Sequence, residues 1–362
     1  MDRGGFADAC EMMRPRRPEQ ASPQRDTLLA LLRQPPSGRL AFAVVATVSI
    51  IFALAYLPLL QTEEGRDWTT YARSAYDWTH GFDLYYDHGR LINLYPPAMA
   101  VLWSWGVTPQ LWLLLSVLAL LGVATLARGW ASLGLCLLTL LQLPVFYDLM
   151  TGNVTSLYVG AIAIRMASRR WAAGVPLGVI LAIAPKPALA PFVFLLLVKN
   201  SRQTLVPIVV ALAITAATLV GVGPAAFVEY LAALLDSQRQ LAGWTGGNLG
   251  LARAGLPVVI GGLVVATVAV ITAARFLTPD RAVALGLGAG PLVQPTIGYY
   301  YAALAIPGLI LLWRRSPWTA TAAALTAIVV AVITPALSGL VLAAAAVVSQ
   351  LQEQQRVSER GR

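Results

Sequence analysis

Apolar residues fill this chain in runs divided by short polar punctuation, and the runs read as helices that cross a membrane. The longest lie at 40–60, 110–128, 131–150, 204–222 and 256–276, close to the ~20 residues needed to cross ~30 Å of hydrocarbon. Shorter runs lie at 154–168, 171–185, 187–199, 281–295, 298–313, 318–334 and 337–350. The pattern predicts about 10–12 transmembrane helices. Because several runs are short, some of them have the length of broken helices that line a cavity. Open strand edges find no hydrogen-bond partners in lipid, so the fold class is all-α, a polytopic transmembrane helical protein.

The polar stretches give this bundle its sides. Residues 1–39 hold seven arginines with Pro15, Pro18, Pro23, Pro35 and Pro36, a composition that predicts a disordered cytoplasmic tail rather than a signal peptide. After the first span, Gln61 to Pro97 is a long polar segment, and it holds six of the seventeen acids together with both histidines. Tyr95-Pro96-Pro97 then opens an apolar run to Val107 that is too short to span and reads as a juxtamembrane helix in the interface. The resulting divisions are the tail at 1–39, a single transmembrane domain at 40–350 and a cytoplasmic tail at 351–362. Two outer loops belong to the domain: 61–107 as the catalytic loop, and 223–255, whose first half has helical spacing and can lie on the membrane surface. No internal repeat of the transporter kind is apparent.

Charge fixes the orientation. Of 26 Lys and Arg residues, twenty fall on one side in this layout, and six (Arg66, Arg73, Arg90, Lys186, Arg239 and Arg253) do not. The positive-inside rule therefore places both termini in the cytoplasm and the acid-rich loop outside, and it accounts for the net charge of +9 without nucleic acid. Cys10 and Cys136 share no context that suggests a disulfide or a metal site. Soluble-nucleotide chemistry has no motif here, since the chain lacks a Walker loop, G-x-G-x-x-G, G-x-S-x-G and H-E-x-x-H.

Candidate chemistry concentrates in a few places. Asp67 follows the first span by about seven residues beside Trp68 and Tyr71, and a carboxylate at the rim among aromatics is suited to act as a general base. Asp77, Asp83 and Asp87 read as solvated acids, Glu63 and Glu64 as loop charge. His80 and His88 match no closed zinc spacing, so no metal is expected. Lys186, in I-A-P-K-P-A between two apolar runs, costs at least ~2.5 kcal/mol to insert and is expected to face a cavity and an anion. Gly152-Asn153 closes another span at its outer end after Tyr147 and Asp148, and Gln294-Pro295-Thr296 with Tyr299-Tyr300-Tyr301 forms a similar polar cluster.

The order of these pieces carries a resemblance. Asp67-Trp68-Thr69-Thr70-Tyr71, Gly81-Phe82-Asp83-Leu84-Tyr85, Tyr95-Pro96-Pro97, Gly152-Asn153 and Pro185-Lys186-Pro187 together resemble glycosyltransferase family 87, best over about residues 40–200. Its members are polyprenol-phosphate-mannose-dependent mannosyltransferases of the C-type membrane glycosyltransferase fold. The resemblance implies that Asp67 deprotonates an acceptor hydroxyl, that Lys186 and Arg90 hold the donor phosphate, and that a single displacement inverts the anomeric centre. It also implies a substrate site drawn from Tyr71, His80, His88, Tyr95, Asn153, Gln294, Tyr299 and Tyr300. The chain departs from the family in two places. A late histidine-bearing segment is here Gln294-Pro295-Thr296-Ile297-Gly298-Tyr299, and a common Gly-Gln is Gly152-Asn153.

The expected function is sugar transfer, with mannose as the expected sugar, from a polyprenyl-phosphate donor to a glycolipid or glycan acceptor on the outer face of the cytoplasmic membrane. No cofactor is expected. A secondary transporter or flippase of lipid-linked sugars is the alternative, since it too would use an intramembrane lysine and broken helices, and a non-catalytic assembly protein is a further one.

Overall fold

The computed structural model describes residues 66–85, 94–127, 129–140, 143–168, 170–199, 201–243, 255–293, 299–333 and 335–360, and scattered positions between 43 and 58. Within these residues the chain is helical and contains no strand, as the hydrophobic runs predict. The described positions between 43 and 55 are helical, in the first expected span.

Two elements build the polar segment and the short apolar run after it. Helix α1 is Arg66–Thr79, with Asp67 in its first turn, where a carboxylate complements the exposed N–H groups and the positive end of the helix dipole. It stops at Gly81, whose φ of 70° places it in the left-handed region that glycine enters without penalty. Helix α2 is Pro97–Ser104, begun by a proline whose missing N–H is no loss in a first turn. More of this short helix is buried in the protein than its reading as a juxtamembrane helix requires: Pro97, Ala98, Met99, Ala100 and Trp103 are buried. It packs against α1, and Tyr71, Trp103 and Trp112 meet edge to face between them with Tyr71 at 4.9 and 5.8 Å from the two indoles. Asp77 likewise differs from the solvated acid expected. It is buried and paired with Arg73 one helical turn away, at 2.9 Å.

The apolar body follows in order: α3 Pro109–Gly122, extended by a 3-10 turn Val123–Leu126, α4 Gly129–Leu140, α5 Leu143–Thr151, α6 Thr155–Ala167, α7 Val175–Ile183 and α8 Ala190–Lys199. Then come α9 Ser201–Val222, α10 Pro224–Gly243, α11 Leu256–Ala274, α12 Pro279–Ala289, α13 Ala305–Trp313, α14 Pro317–Ile333 and α15 Pro335–Arg360. Pro109–Leu126, Leu205–Val222 and Leu256–Ala274 are long and apolar enough to cross a membrane, and α4 with α5 adds a fourth if that bent pair is one span. Thr155–Ala167, Trp171–Ile183, Pro187–Val198, Tyr300–Trp313 and Pro317–Val330 are apolar but shorter, where the sequence places its short runs. Helix α10 forms where the spacing of residues 223–255 predicts it, and Tyr230 on it touches Tyr85 at 5.8 Å between ring centres. Helix α15 continues past its expected end at 350 to Arg360.

Small residues set the close approaches that fix the body. Without hydrophobic drive between lipid-facing helices, packing depends on how near two backbones come. A Cβ at Gly160 of α6 would lie 2.0 Å from the carbonyl oxygen of Ala119 on α3, so only glycine fits that crossing. A Cβ at Gly290, just past α12, would lie 1.8 Å from the carbonyl oxygen of Ala188. The first contact locks α6, which begins at the candidate site, and the second locks the chain just after Lys186.

Candidate active site

Two chain breaks and the first turn of a helix aim three side chains at one point. Helix α5 ends in a Schellman motif: Gly152 N–H donates to Leu149 C=O at 3.3 Å and Asn153 N–H to Asp148 C=O at 3.0 Å, with Gly152 at φ 70°. The Gly152 carbonyl accepts from the Trp112 indole at 2.7 Å, so the turn is held from α3 as well. This geometry explains why the pair Gly-Asn stands at that position: the glycine supplies the turn and the next side chain is delivered inward. Asn153 is 2 % exposed.

The second break frees Lys186. Helix α7 ends at Ile183, Lys186 is extended at φ −116° and ψ 117°, and Pro187 starts a 3-10 turn Pro187–Leu189 before α8. Two prolines forbid a continuous helix here. The Ala184 carbonyl, freed by the break, accepts the Tyr158 hydroxyl at 2.6 Å, and the same hydroxyl lies 3.1 Å from the Ile180 carbonyl, which also accepts from Ala184 N–H at 2.9 Å. Lys186 is 7 % exposed, so its ammonium depends on partners within the protein. The third side chain is Asp67, from the first turn of α1.

These three form a continuous chain of hydrogen bonds. Lys186 Nζ donates to Asn153 Oδ1 at 3.1 Å, and Asn153 Nδ2 donates to Asp67 Oδ2 at 2.6 Å. The direction of the amide follows from its neighbours. Thr155 N–H, which can only donate, lies 3.2 Å from Asn153 Oδ1, and the Thr155 hydroxyl donates to the same oxygen at 2.9 Å. The amide nitrogen must then face Asp67. A cation, an amide and a carboxylate are thus aligned so that each dipole polarises the next.

Tyrosines enclose the lysine. Tyr301 and Tyr300 present their rings at 4.5 and 5.1 Å from Nζ, within cation–π range, and the Tyr301 hydroxyl is 3.5 Å away. Both come from the 3-10 segment Tyr299–Leu304, and Tyr147 of α5 stacks on Tyr300. On the α1 side Tyr71, one turn after Asp67, donates to the Tyr95 hydroxyl at 2.9 Å, and Tyr85 donates to the Tyr95 backbone carbonyl at 3.0 Å. The D-x-x-x-Y, L-Y and Y-P-P pieces are therefore one contact set. Burial foremost, with the negative charge of Asp67 adding to it, pushes the Tyr71 and Tyr95 phenols well above their ordinary pKa, so both stay protonated donors.

Asp148 is a further member. It is fully buried at the end of α5 and accepts from Thr155 N–H at 3.2 Å, Ser156 N–H at 2.7 Å and the Ser156 hydroxyl. The carboxylate thereby caps the N-terminus of α6 from seven residues upstream, where the first N–H groups have no helical partner. Sequence reasoning gives Asp148 only a position, and Tyr301 only as one of three tyrosines. An acid inside an apolar run, seven residues before a Thr-Ser helix start, is the signal that points to Asp148.

Of the expected site residues, Asp67, Tyr71, Tyr95, Asn153, Lys186 and Tyr300 converge. His80 does not. It sits past the far end of α1, about 20 Å along the helix from Asp67, exposed and stacked on Tyr76 with ring centres 4.0 Å apart. His88, Arg90 and Gln294 lie outside the described residues, as does the side chain of Tyr299.

The sequence of glycosyltransferase family 87 matches residues 91–295, more than half of the chain. The chain belongs to glycosyltransferase family 87. The match begins after Asp67 and reaches well beyond residue 200, so it includes Asn153 and Lys186 and extends past the stretch in which the motifs resemble the family best. No curated protein and no solved structure matches the chain. Family membership makes this all-α membrane protein a glycosyltransferase, acting on sugar substrates beside a lipid bilayer.

Proposed function

We propose that this family 87 glycosyltransferase transfers a sugar, mannose being the expected one, from a polyprenyl-phosphate donor to a glycan or glycolipid acceptor outside the cytoplasmic membrane. The observation that carries the reading is the hydrogen-bonded chain Lys186–Asn153–Asp67, which joins a buried cation to a half-buried carboxylate through one amide. A hexosyl transfer from a phosphate needs those two charges at a short separation. The carboxylate takes the proton of the acceptor hydroxyl as its oxygen bonds to the anomeric carbon. The bond from that carbon to the phosphate oxygen breaks on the opposite face, its electron pair leaves with the phosphate, and a fixed cation stabilises the charge that develops.

Asp67 is the base in this mechanism and Lys186 the phosphate contact. Asn153 keeps the carboxylate oriented, and its hydrogen bond to Lys186 couples the two halves of the site. Tyr71 and Tyr95 are neutral donors suited to sugar hydroxyls, and the apolar body accommodates the polyprenyl tail. In the proposed orientation both termini are cytoplasmic and the site opens on the outer face, with Arg90, His88, Gln294 and Tyr299 joining it from the outer segments. Purified protein supplied with radiolabelled polyprenyl-phosphate mannose, glucose or arabinose and a membrane lipid extract tests this directly. Labelled product from the mannose donor is expected. Absence of product from every lipid-linked donor, alongside transfer from a nucleotide sugar, would overturn the donor class.

A further inference from the structure

A second cluster of charge lies at the other ends of the helices that frame Lys186. Helix α12 begins with Asp280 and Arg281 and runs about 14 Å to Gly290, which rests on Ala188. Helix α13 follows Tyr301 and ends beside Arg314 and Arg315. Where these far ends meet the last turns of α15 there is a cavity of about 230 Å³, lined by Arg281, Arg315, Ser316, Gln352, Glu353, Arg356, Val357 and Arg360. The candidate active site uses none of these residues.

The charges there are unequal. Arg281 is 1 % exposed and held by three bonds: it donates to Ser349 at 2.7 Å, to Gln350 at 2.8 Å and to Glu353. Arg315 pairs with Asp280 at 3.3 Å. Among the described residues no carboxylate pairs with Arg356 or Arg360, so the cavity keeps an excess of two positive charges. The buried Arg281 and the serine pair Ser316–Ser349 at 2.8 Å hold its wall in place, and the exposed arginines on α15 remain available.

Its level in the membrane is marked by side chains. Trp318, two residues beyond Ser316, is 85 % exposed, and Phe276, two before the helix cap Thr278, is 73 % exposed. Aromatic rings in this position mark the boundary between hydrocarbon and headgroups. On α15 itself Val357 is exposed and lines the cavity beside Arg356, so the rim offers apolar surface next to positive charge. A soluble anion has no use for that apolar rim, whereas a lipid meets both halves.

We infer that this cavity binds the phosphate headgroup of an anionic membrane lipid, with Arg356 and Arg360 contacting the phosphate and Val357 meeting the apolar part of the lipid at the rim. Basic pockets between helices at the headgroup level are the arrangement that retains such lipids. The site is distinct from the transfer site and lies on the opposite membrane face.

The test uses the full-length protein in neutral detergent. Bound phosphatidylglycerol and phosphatidylcholine are counted by native mass spectrometry across a lipid titration, and inorganic phosphate is titrated by calorimetry. Wild type is expected to prefer phosphatidylglycerol. The double variant Arg356→Gln/Arg360→Gln, altered only on exposed last turns, is expected to bind it roughly thirtyfold more weakly, about fivefold per arginine. Arg170→Gln, an exposed arginine on the same side but outside the cavity, is expected to keep the preference. Equal binding of the two lipids by wild type, or an unchanged preference in the double variant, would overturn the site. Inorganic phosphate binding that the double variant loses, without any lipid preference, would overturn the lipid and leave a soluble-anion site.

Discussion

The two charged regions of this protein are built on opposite plans. Around Lys186 the charges are few, mostly buried and each hydrogen-bonded within the protein: one lysine, an amide and two carboxylates drawn from α1, α5 and the α7–α8 break, with tyrosine rings closing the gaps. Around Arg281 they are many and partly exposed, and their positive sign is in excess. A buried ion without partners costs far more than a hydrogen-bonded one, so the first region must be satisfied internally and is selective for a partner that can replace those bonds. The second can leave arginines in contact with water and lipid headgroups at little cost, so it attracts anions broadly. The difference separates a site fit for chemistry from one fit for retention.

The largest expected effect breaks the first region at its carboxylate. Asp67→Asn keeps the size and loses the base, and transfer is expected to fall by about 10²–10⁴-fold with donor affinity little changed, read from initial rates and donor binding. Lys186→Ala removes the cation, and a loss of about 10²–10³-fold in turnover with weaker donor binding is expected. Unchanged donor Michaelis constant and turnover in that variant would remove its phosphate role.

Smaller effects act through the scaffold. Gly160→Ala forces a Cβ against the Ala119 carbonyl, and a loss of about 1–3 kcal/mol in stability is expected, seen as a lower thermal midpoint in detergent. Asn153→Ala leaves Lys186 and Thr155 without their shared acceptor, with a comparable loss of about 1–3 kcal/mol and a fall in transfer that Asn153→Gln partly restores. His80→Ala, exposed and remote from Asp67, is expected to change stability by less than about 0.5 kcal/mol and transfer hardly at all. Strong loss of transfer in that variant would bring the histidine back to the site.

Much of the bundle can be read from the chain because lipid allows one solution for a long apolar run. The runs at 110–128, 204–222 and 256–276 become single helices, and even the short runs keep their places. Asp67, Asn153 and Lys186 stand out for the same reason, being polar groups at the edge of or inside apolar sequence. Their pairing does not show in the sequence. Asp67 and Asn153 are 86 residues apart and Asn153 and Lys186 are 33 apart, and they meet through tertiary features such as the crossing at Gly160, the turn at Gly152 and the contact of Gly290 with Ala188. The same holds for Asp77, whose burial beside Arg73 is a packing choice that local hydropathy does not express. The arginines of the second region were legible only as topology signals, since Arg281 meets Glu353 across 72 residues.

The central claim is a single displacement with Asp67 as base and lipid phosphate as leaving group. Product made from polyprenyl-phosphate mannose labelled with carbon-13 at the anomeric position reports it in one nuclear magnetic resonance measurement. The account requires the anomeric configuration of the product to be opposite to that of the donor. Retention of the donor's configuration would contradict it, because a second displacement would then be needed and Asp67 would have to act as something other than the base.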